Sequence, residues 1–373
     1  MKKSFWEKLH KPFFALAPMA DVTDAAFRKI IAKYGKPDIF WTEFTSADGL
    51  CSPGRDRLLV NLKYSREEHP IVAQLFGANP EKMYEAAKLV KKLGFDGLDI
   101  NLGCPDRSVV KQGAGGALIK TPKLAQEIIH AAQEGAGSAG WRMPVSVKTR
   151  LGFSKDILEE WLPVLLETNL AAVTIHARTV KELSLVKAQW ERVRDAVAIR
   201  NKLKSKTLII GNGDVIDLAD ARQKAIETGA DGIMLGRAIF DNPWLFSNSR
   251  ELENSHEGEV IRRKLAVLIE HVKLFERYFG DDRTPAPEGG TSSRFAQKRK
   301  SLFGTRTRPG IGAGFNSRKP QKNMRARIKN FAVMKKHFKA YVGGFEGAKD
   351  LRARLMECNT TKEAVAILKT AVR

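Results

Sequence analysis

Cysteine is scarce in this chain of 373 residues: Cys51, Cys104 and Cys358 are its only three, far apart and without a CxxC pair. Thiols so few and so spaced exclude a disulfide framework and a structural zinc site, and they fit a reducing compartment. Long apolar runs are missing as well. No stretch approaches the roughly 18 residues that mark a membrane span, and Lys2, Lys3, Glu7 and Lys8 stand where a secretory leader needs an apolar core. A soluble, cytoplasmic protein with no membrane partner is expected. Nor is there an early dinucleotide-binding fingerprint, because Gly113-Ala-Gly-Gly116 lacks both the spacing and the preceding strand. Acidic residues are outnumbered, 42 against 64 Lys and Arg, for a net charge of +22.

The positive charge is uneven. Residues 246–373 carry 28 basic and 13 acidic side chains, so most of the excess lies in the last third. An appendage that binds a polyanion has this signature, and a nucleic acid is the expected partner.

What the first two thirds contain is a rhythm. Short runs rich in Val, Ile, Leu and Phe recur at Phe13–Pro18, Asp38–Phe44, Pro70–Phe76, Gly97–Asn101, Pro144–Thr149, Ala171–His176, Thr207–Gly211 and Gly232–Leu235. Between them lie stretches with helical spacing, among them Glu81–Leu93, Lys123–Ala132 and Asp156–Thr168. Eight strand-then-helix units predict an α/β fold, a closed (β/α)8 TIM barrel over residues 1–245 rather than an open sheet.

Such a barrel keeps its chemistry on one rim, where the strands end. The run ends here carry Pro18, Met19, Ala20 and Asp21, then Glu43, Gln74, Asn101 and Cys104, then Lys148 and Arg150, His176 and Arg178, Asn212 and Asp214, and Gly236 with Arg237. A lone cysteine is more often a small buried apolar group than a catalyst, but polar or charged groups at nearly every run end point to an active site. The turns Gly211-Asn-Gly-Asp214 and Gly236-Arg237 follow runs seven and eight, the usual phosphate site of this fold. A flavin mononucleotide (FMN) fits that arrangement, with its phosphate at the glycine turns, its ring over Pro18–Ala20 and Lys148 at the ring edge. A phosphosugar barrel without flavin is the simpler alternative.

Taken together, Ala17-Pro-Met-Ala-Asp21, Ala73-Gln-Leu-Phe-Gly77, Asn101-Leu-Gly-Cys-Pro105, Lys111-Gln-Gly-Ala-Gly-Gly-Ala117, Val147-Lys-Thr-Arg150, Thr174-Ile-His-Ala-Arg-Thr179, Gly211-Asn-Gly-Asp214 and Gly236-Arg237 resemble the tRNA-dihydrouridine synthase family. The resemblance implies an FMN-dependent enzyme that reduces the C5–C6 double bond of selected tRNA uridines, with the hydride from reduced FMN and the proton from Cys104. It further implies cofactor contacts from Pro18, Met19, Ala20, Gln74, Lys148, His176, Asn212, Gly213, Asp214, Gly236 and Arg237, and substrate contacts from Asn101, Arg150 and Arg178. NADPH or NADH would reload the flavin. A small-molecule dihydropyrimidine- or dihydroorotate-type flavin oxidoreductase shares the fold and the cofactor, but leaves the basic last third without a purpose. A silent RNA-binding barrel would bind no flavin.

Residues 246–373 are expected to form a smaller helical domain that holds tRNA, with helices over Val260–Phe279 and Arg325–Val342. Phe331, Phe338 and Tyr341 form an apolar stripe in the second, read as core, whereas Lys329, Lys335, Lys336 and Lys339 are candidates to face the RNA. Between the helices, a Gly-, Pro- and Arg-rich stretch at about 281–323 is expected to be a flexible basic insert that strengthens salt-sensitive binding.

Overall fold

Residues 4–137, 142–247, 256–280 and 329–372 are described by a computed structural model. Its strands are β1 (Phe13–Leu16), β2 (Phe40–Trp41), β3 (Thr45–Ser46), β4 (Ile71–Phe76), β5 (Gly97–Leu102), β6 (Val145–Arg150), β7 (Ala172–His176), β8 (Leu208–Asn212) and β9 (Gly232–Leu235). All pairings are parallel, in the order β1-β9-β8-β7-β6-β5-β4-β2, with β3 also on β4. The ring closes where Leu16 N donates to Ile39 O at 3.3 Å and Asp38 N to Phe14 O at 2.9 Å. Counting β2 and β3 as one broken stave, the eight expected staves form a TIM barrel.

The break has a simple cause. Trp41 pairs with Val72 and Thr45 with Leu75, so four steps on one strand face three on the other, as in a bulge. Thr42 Oγ1 accepts from Gln74 N at 3.1 Å and stands in for the missing ladder carbonyl.

Helices α1 (Ala25–Tyr34), α2 (Pro80–Leu93), α3 (Pro122–Gly135), α4 (Leu158–Leu166), α5 (Trp190–Lys202) and α6 (Leu218–Thr228) surround the strands. Their boundaries follow local chemistry. Asn79 caps α2 through Lys82 N, Pro80 opens it, and Gly94 closes it at φ 88°. Asp217 and Gly229 bound α6 in the same way.

Side chains alternate across each strand, and two apolar layers result. The outer layer lies between strands and helices. The inner one, with Phe13, Ala15, Trp41, Val72, Ala172, Leu208, Ile210 and Met234, fills the barrel, and Trp6 plugs its floor against Phe13 and Trp41.

After the barrel come α7 (Glu257–Phe279), α8 (Met334–Tyr341), α9 (Ala348–Glu357) and α10 (Thr361–Val372). Helix α7 packs on α1 and on α10, and the outer apolar layer continues unbroken into these helices. Of the helix expected over Arg325–Val342, residues 325–328 lie outside the described residues. Lys329 and Asn330 are not helical, Asn330 caps a single turn over Phe331–Val333, and α8 follows. Phe331, Phe338 and Tyr341 are core, as their spacing suggests. The expected basic insert at 281–323 lies outside the described residues. Among the described residues, no helix is long and apolar enough to cross a membrane.

Candidate active site

Inward-facing positions change character along the staves. Val72 is followed by Gln74, Asp99 by Asn101, Ser146 by Lys148 and Arg150, Ala172 by Thr174 and His176, Ile210 by Asn212, and Met234 by Gly236. The floor is apolar and the C-terminal mouth is polar. Register carries the polar groups into neighbouring positions, with Asn101 beside Lys148, Arg150 beside His176 and His176 beside Asn212.

Cys104 stands on the turn after β5. Asn101 Oδ1 accepts from Gly103 N at 3.1 Å and from Cys104 N at 2.8 Å, which fixes the backbone that carries the thiol. Cys104 O accepts from Gly116 N at 3.0 Å. This explains the glycine cluster. A methyl group on Gly115, at φ +58°, would lie 3.1 Å from Cys104 Cβ, and one on Gly116 would lie 2.7 Å from Val180 Cγ2. Val109, Ala114, Phe44, Phe76 and Ala78 wall in the sulfur, leaving Cys104 9% exposed. Burial, with the Asp106 charge adding to it, pushes the thiol pKa up against the opposing pull of the Asp106 backbone N–H, Arg150 and Lys148. The thiol is therefore protonated at neutral pH.

The neighbouring flank of the mouth, carried by β6 and β7, is cationic. Lys148 is half-buried and, among the described residues, its ammonium has no hydrogen-bond or ion-pair partner; burial, then Arg150, pull its pKa to about 8. Arg178 Nη1 lies 3.0 Å from His176 Nε2. Guanidinium only donates, so Nε2 accepts and the proton sits on Nδ1. Burial and the charges of Lys148, Arg150, Arg178 and Arg237 hold this imidazole neutral. Asn212 donates Nδ2 to Met234 O at 2.8 Å. Gly213, at φ +131°, leaves no room for a side chain, since Ala188 Cβ would be 2.8 Å from an added methyl. Gly236 comes next to Ala17 and Met19 of the first loop.

That first loop holds Pro18 and Met19 half-buried and Ala20 exposed. Met19 O accepts from Val22 N and Thr23 N, and Asp21 N donates to Glu43 Oε1 at 2.6 Å. Lys329 Nζ donates to Glu43 Oε2 at 2.6 Å, and Lys336 pairs with Asp21 at 3.2 Å.

Several sequence expectations change here. Arg178 is buried, and its N–H groups go to Val186 O, His176 and Asp214, so it braces loops and is not free for substrate. Arg150, whose pKa burial lowers to about 10, donates to Gly103 O, Thr179 O and Leu183 O. Both lie beneath a loop whose Leu183, Leu185 and Val186 are exposed. Burial pushes Asp214 up, but Ala188 N and the arginines outweigh it and hold the carboxylate below its usual range; it ties Arg178, Arg237 and Ala188 N together. Gln74 is buried beneath Asn101, accepting from Asn101 Nδ2 at 3.0 Å and donating to Asp99 at 2.7 Å. Lys329 is turned inward and tied to Glu43. Asp99 and the Glu43–Lys329 pair had no role in the sequence reading. The signal for Asp99 was there, as an acidic residue two positions before Asn101 on a strand with period two.

The family model described as dihydrouridine synthase (Dus) matches residues 15–286. The chain belongs to this family. Among curated relatives of the dihydrouridine synthases, the "Probable tRNA-dihydrouridine synthase" of Staphylococcus aureus (strain Mu50 / ATCC 700699) is 35% identical over 370 residues, covering 99% of this chain and 95% of the relative. The "Probable tRNA-dihydrouridine synthase 2" of Bacillus subtilis (strain 168) is equally similar, with 99% and 96% covered. Among solved structures, histamine dehydrogenase from Rhizobium sp. 4-9 is 16% identical with a TM-score of 0.46, over 70% of this chain and 48% of that one.

Proposed function

We propose that this dihydrouridine synthase reduces uridines in tRNA to 5,6-dihydrouridine, with FMN as cofactor and Cys104 as proton donor. The observation that carries the reading is the make-up of one mouth: a protonated thiol on an apolar wall after β5 and, on the neighbouring stave β6, an ammonium with no hydrogen-bond or ion-pair partner among the described residues, with a neutral imidazole on β7. An ammonium left half-buried without a partner calls for an anionic or electron-rich ligand. FMN is one. Gly213, Gly236, Asn212 and Arg237 would hold its phosphate, Pro18, Met19 and Ala20 would lie under its ring, and Lys148 with His176 Nδ1–H would face its oxygens. When bound and reduced by NADPH or NADH, FMN supplies two electrons and one hydrogen.

The chain's own part is binding and proton transfer. Asn101 keeps one amide N–H beyond those already bonded, suited to a uracil carbonyl. Cys104 Sγ holds a proton at neutral pH and can give it to C5 of the pyrimidine as C6 is reduced. A uridine reaches this depth only when turned out of the folded RNA, and the net charge of +22 favours holding the backbone meanwhile. Phe44 and Phe76 exclude water on the thiol side.

The test is mass spectrometry of tRNA from cells that lack the protein and from rescued cells. Dihydrouridine absent from at least one position and restored on rescue is expected. An unchanged tRNA profile, or purified protein with no flavin absorbance in the visible, would overturn the reading.

A further inference from the structure

A side-chain amide keeps nearly the same shape after a half-turn, so its orientation must come from its partners. Beneath Cys104 two amides lie in series. Asn101 Nδ2 donates to Gln74 Oε1 at 3.0 Å, and Gln74 Nε2 donates to Asp99 Oδ2 at 2.7 Å. Both ends of the series have fixed polarity. At the top, the backbone N–H groups of Gly103 and Cys104 can only donate, at 3.1 and 2.8 Å, to Asn101 Oδ1. At the bottom, an ionised Asp99 can only accept, and it takes Ser146 Oγ on its other oxygen at 2.6 Å. One orientation of each amide satisfies all these contacts. If Gln74 turned over, Asn101 would follow, and two donors would meet at Cys104 N.

We propose that Asp99 is a positioning residue for the proton donor: its acceptor-only carboxylate sets the direction of the Gln74–Asn101 hydrogen-bond chain and so fixes the backbone that carries Cys104. The group is fully buried and has no ion pair among the described residues, an unfavourable setting that needs a compensating role. Burial raises its pKa to about 6, against the hydrogen bonds from Ser146 and Gln74 and the charge of Lys148, so it is ionised at neutral pH. Other buried orphans, such as His271 and His337, pack on Phe27 of α1 and hydrogen-bond to none of these groups.

The catalytic consequence rests on Cys104 being the acid; the ordering of its turn does not. The test is iodoacetamide labelling of full-length protein at pH 7.5, read peptide by peptide with Cys51 as internal reference, beside dihydrouridine turnover. Asp99→Asn, which can donate or accept toward Gln74, is expected to raise Cys104 labelling several-fold relative to Cys51. Turnover at saturating tRNA should fall by about tenfold or more with KM within about twofold. The double variant Asp99→Asn/Gln74→Glu moves the acceptor-only group one place up the chain and keeps its polarity. It should return both readouts to within about twofold of wild type. Wild-type labelling and turnover in the single variant, or fast labelling in the double one, overturns the proposal. If the single variant does not fold, the double variant decides: folded with slow labelling supports the role, and unfolded or fast labelling removes it. Wild-type protein that makes no dihydrouridine would remove the tRNA reading and leave the labelling comparison standing.

Discussion

Cys104 and Lys148 share the mouth on adjoining staves, and burial moves both toward their neutral forms with opposite consequences. For the thiol, the neutral form is the working one, a proton held near neutral pH by a group still acidic enough to release it. Cys104→Ala removes about one methyl-sized group from an apolar pocket and, beside it, only a contact with the Asp106 backbone N–H. Flavin absorbance is therefore expected to persist while dihydrouridine formation falls by about 100-fold or more; a variant with normal turnover would take the proton elsewhere. For Lys148, the neutral form is a symptom, since the ammonium has no partner among the described residues. Lys148→Met gives up no hydrogen bond or ion pair to the described residues. Its melting temperature without flavin should be no lower than wild type, whereas flavin affinity should fall about tenfold. Lower stability with unchanged flavin retention would make Lys148 a structural residue only.

Elements rather than single residues decide how the turn after β5 is held, and Gly116 is where two of them meet. A methyl there would be 2.7 and 3.0 Å from the two methyls of Val180 and 3.1 Å from Cys104 O. Neither neighbour can swing away, because Val180 is buried and its N donates to Gly152 O at 2.9 Å. Gly116→Ala should cost about 1–3 kcal/mol, seen as a lower urea midpoint at unchanged slope, and a wild-type midpoint would show that the wall yields. The same region shows what the sequence makes legible. Seven of the eight staves are short apolar runs with clean ends, because a barrel strand buried on both faces leaves a continuous apolar signature. The stave at Asp38–Phe44 is broken by a bulge, which depends on the Trp41–Val72 and Thr45–Leu75 pairings and so on partners distant in sequence. Composition at the strand ends located the mouth. It could not tell Arg178, turned inward onto Val186 O and Asp214, from an arginine left free for a ligand, nor predict that Lys329 reaches Glu43 across 286 residues.

For the whole molecule, the question is what joins the C-terminal helices to the barrel. His271 of α7 and His337 of α8 meet edge to face with ring centroids 4.4 Å apart, and Phe27 of α1 lies 5.5 and 5.1 Å from them. Both are fully buried, and none of their four ring nitrogens has a hydrogen-bond partner among the described residues. Burial lowers both pKa values, His271 well below its ordinary value and His337 to about 3, with Lys329 and Lys336 adding to the effect on His337. The native state therefore refuses protons that the unfolded chain accepts below about 6.5. Stability from this junction is intact above that pH and declines as pH falls, by up to about 1.4 kcal/mol per unit for each histidine. Asp24 and Glu43, whose pKa values burial raises, work in the opposite sense at the same junction, so the difference between proteins is the informative quantity. His337→Leu removes one titrating ring and two unsatisfied nitrogens at similar volume. It should be at least as stable as wild type at pH 7, and between pH 6 and 4 its loss of stability should be shallower by about 1 kcal/mol per unit. Urea unfolding at four pH values measures both. Parallel curves for the two proteins would mean that His337 takes up its proton in the folded state and that the junction does not respond to acid through this pair.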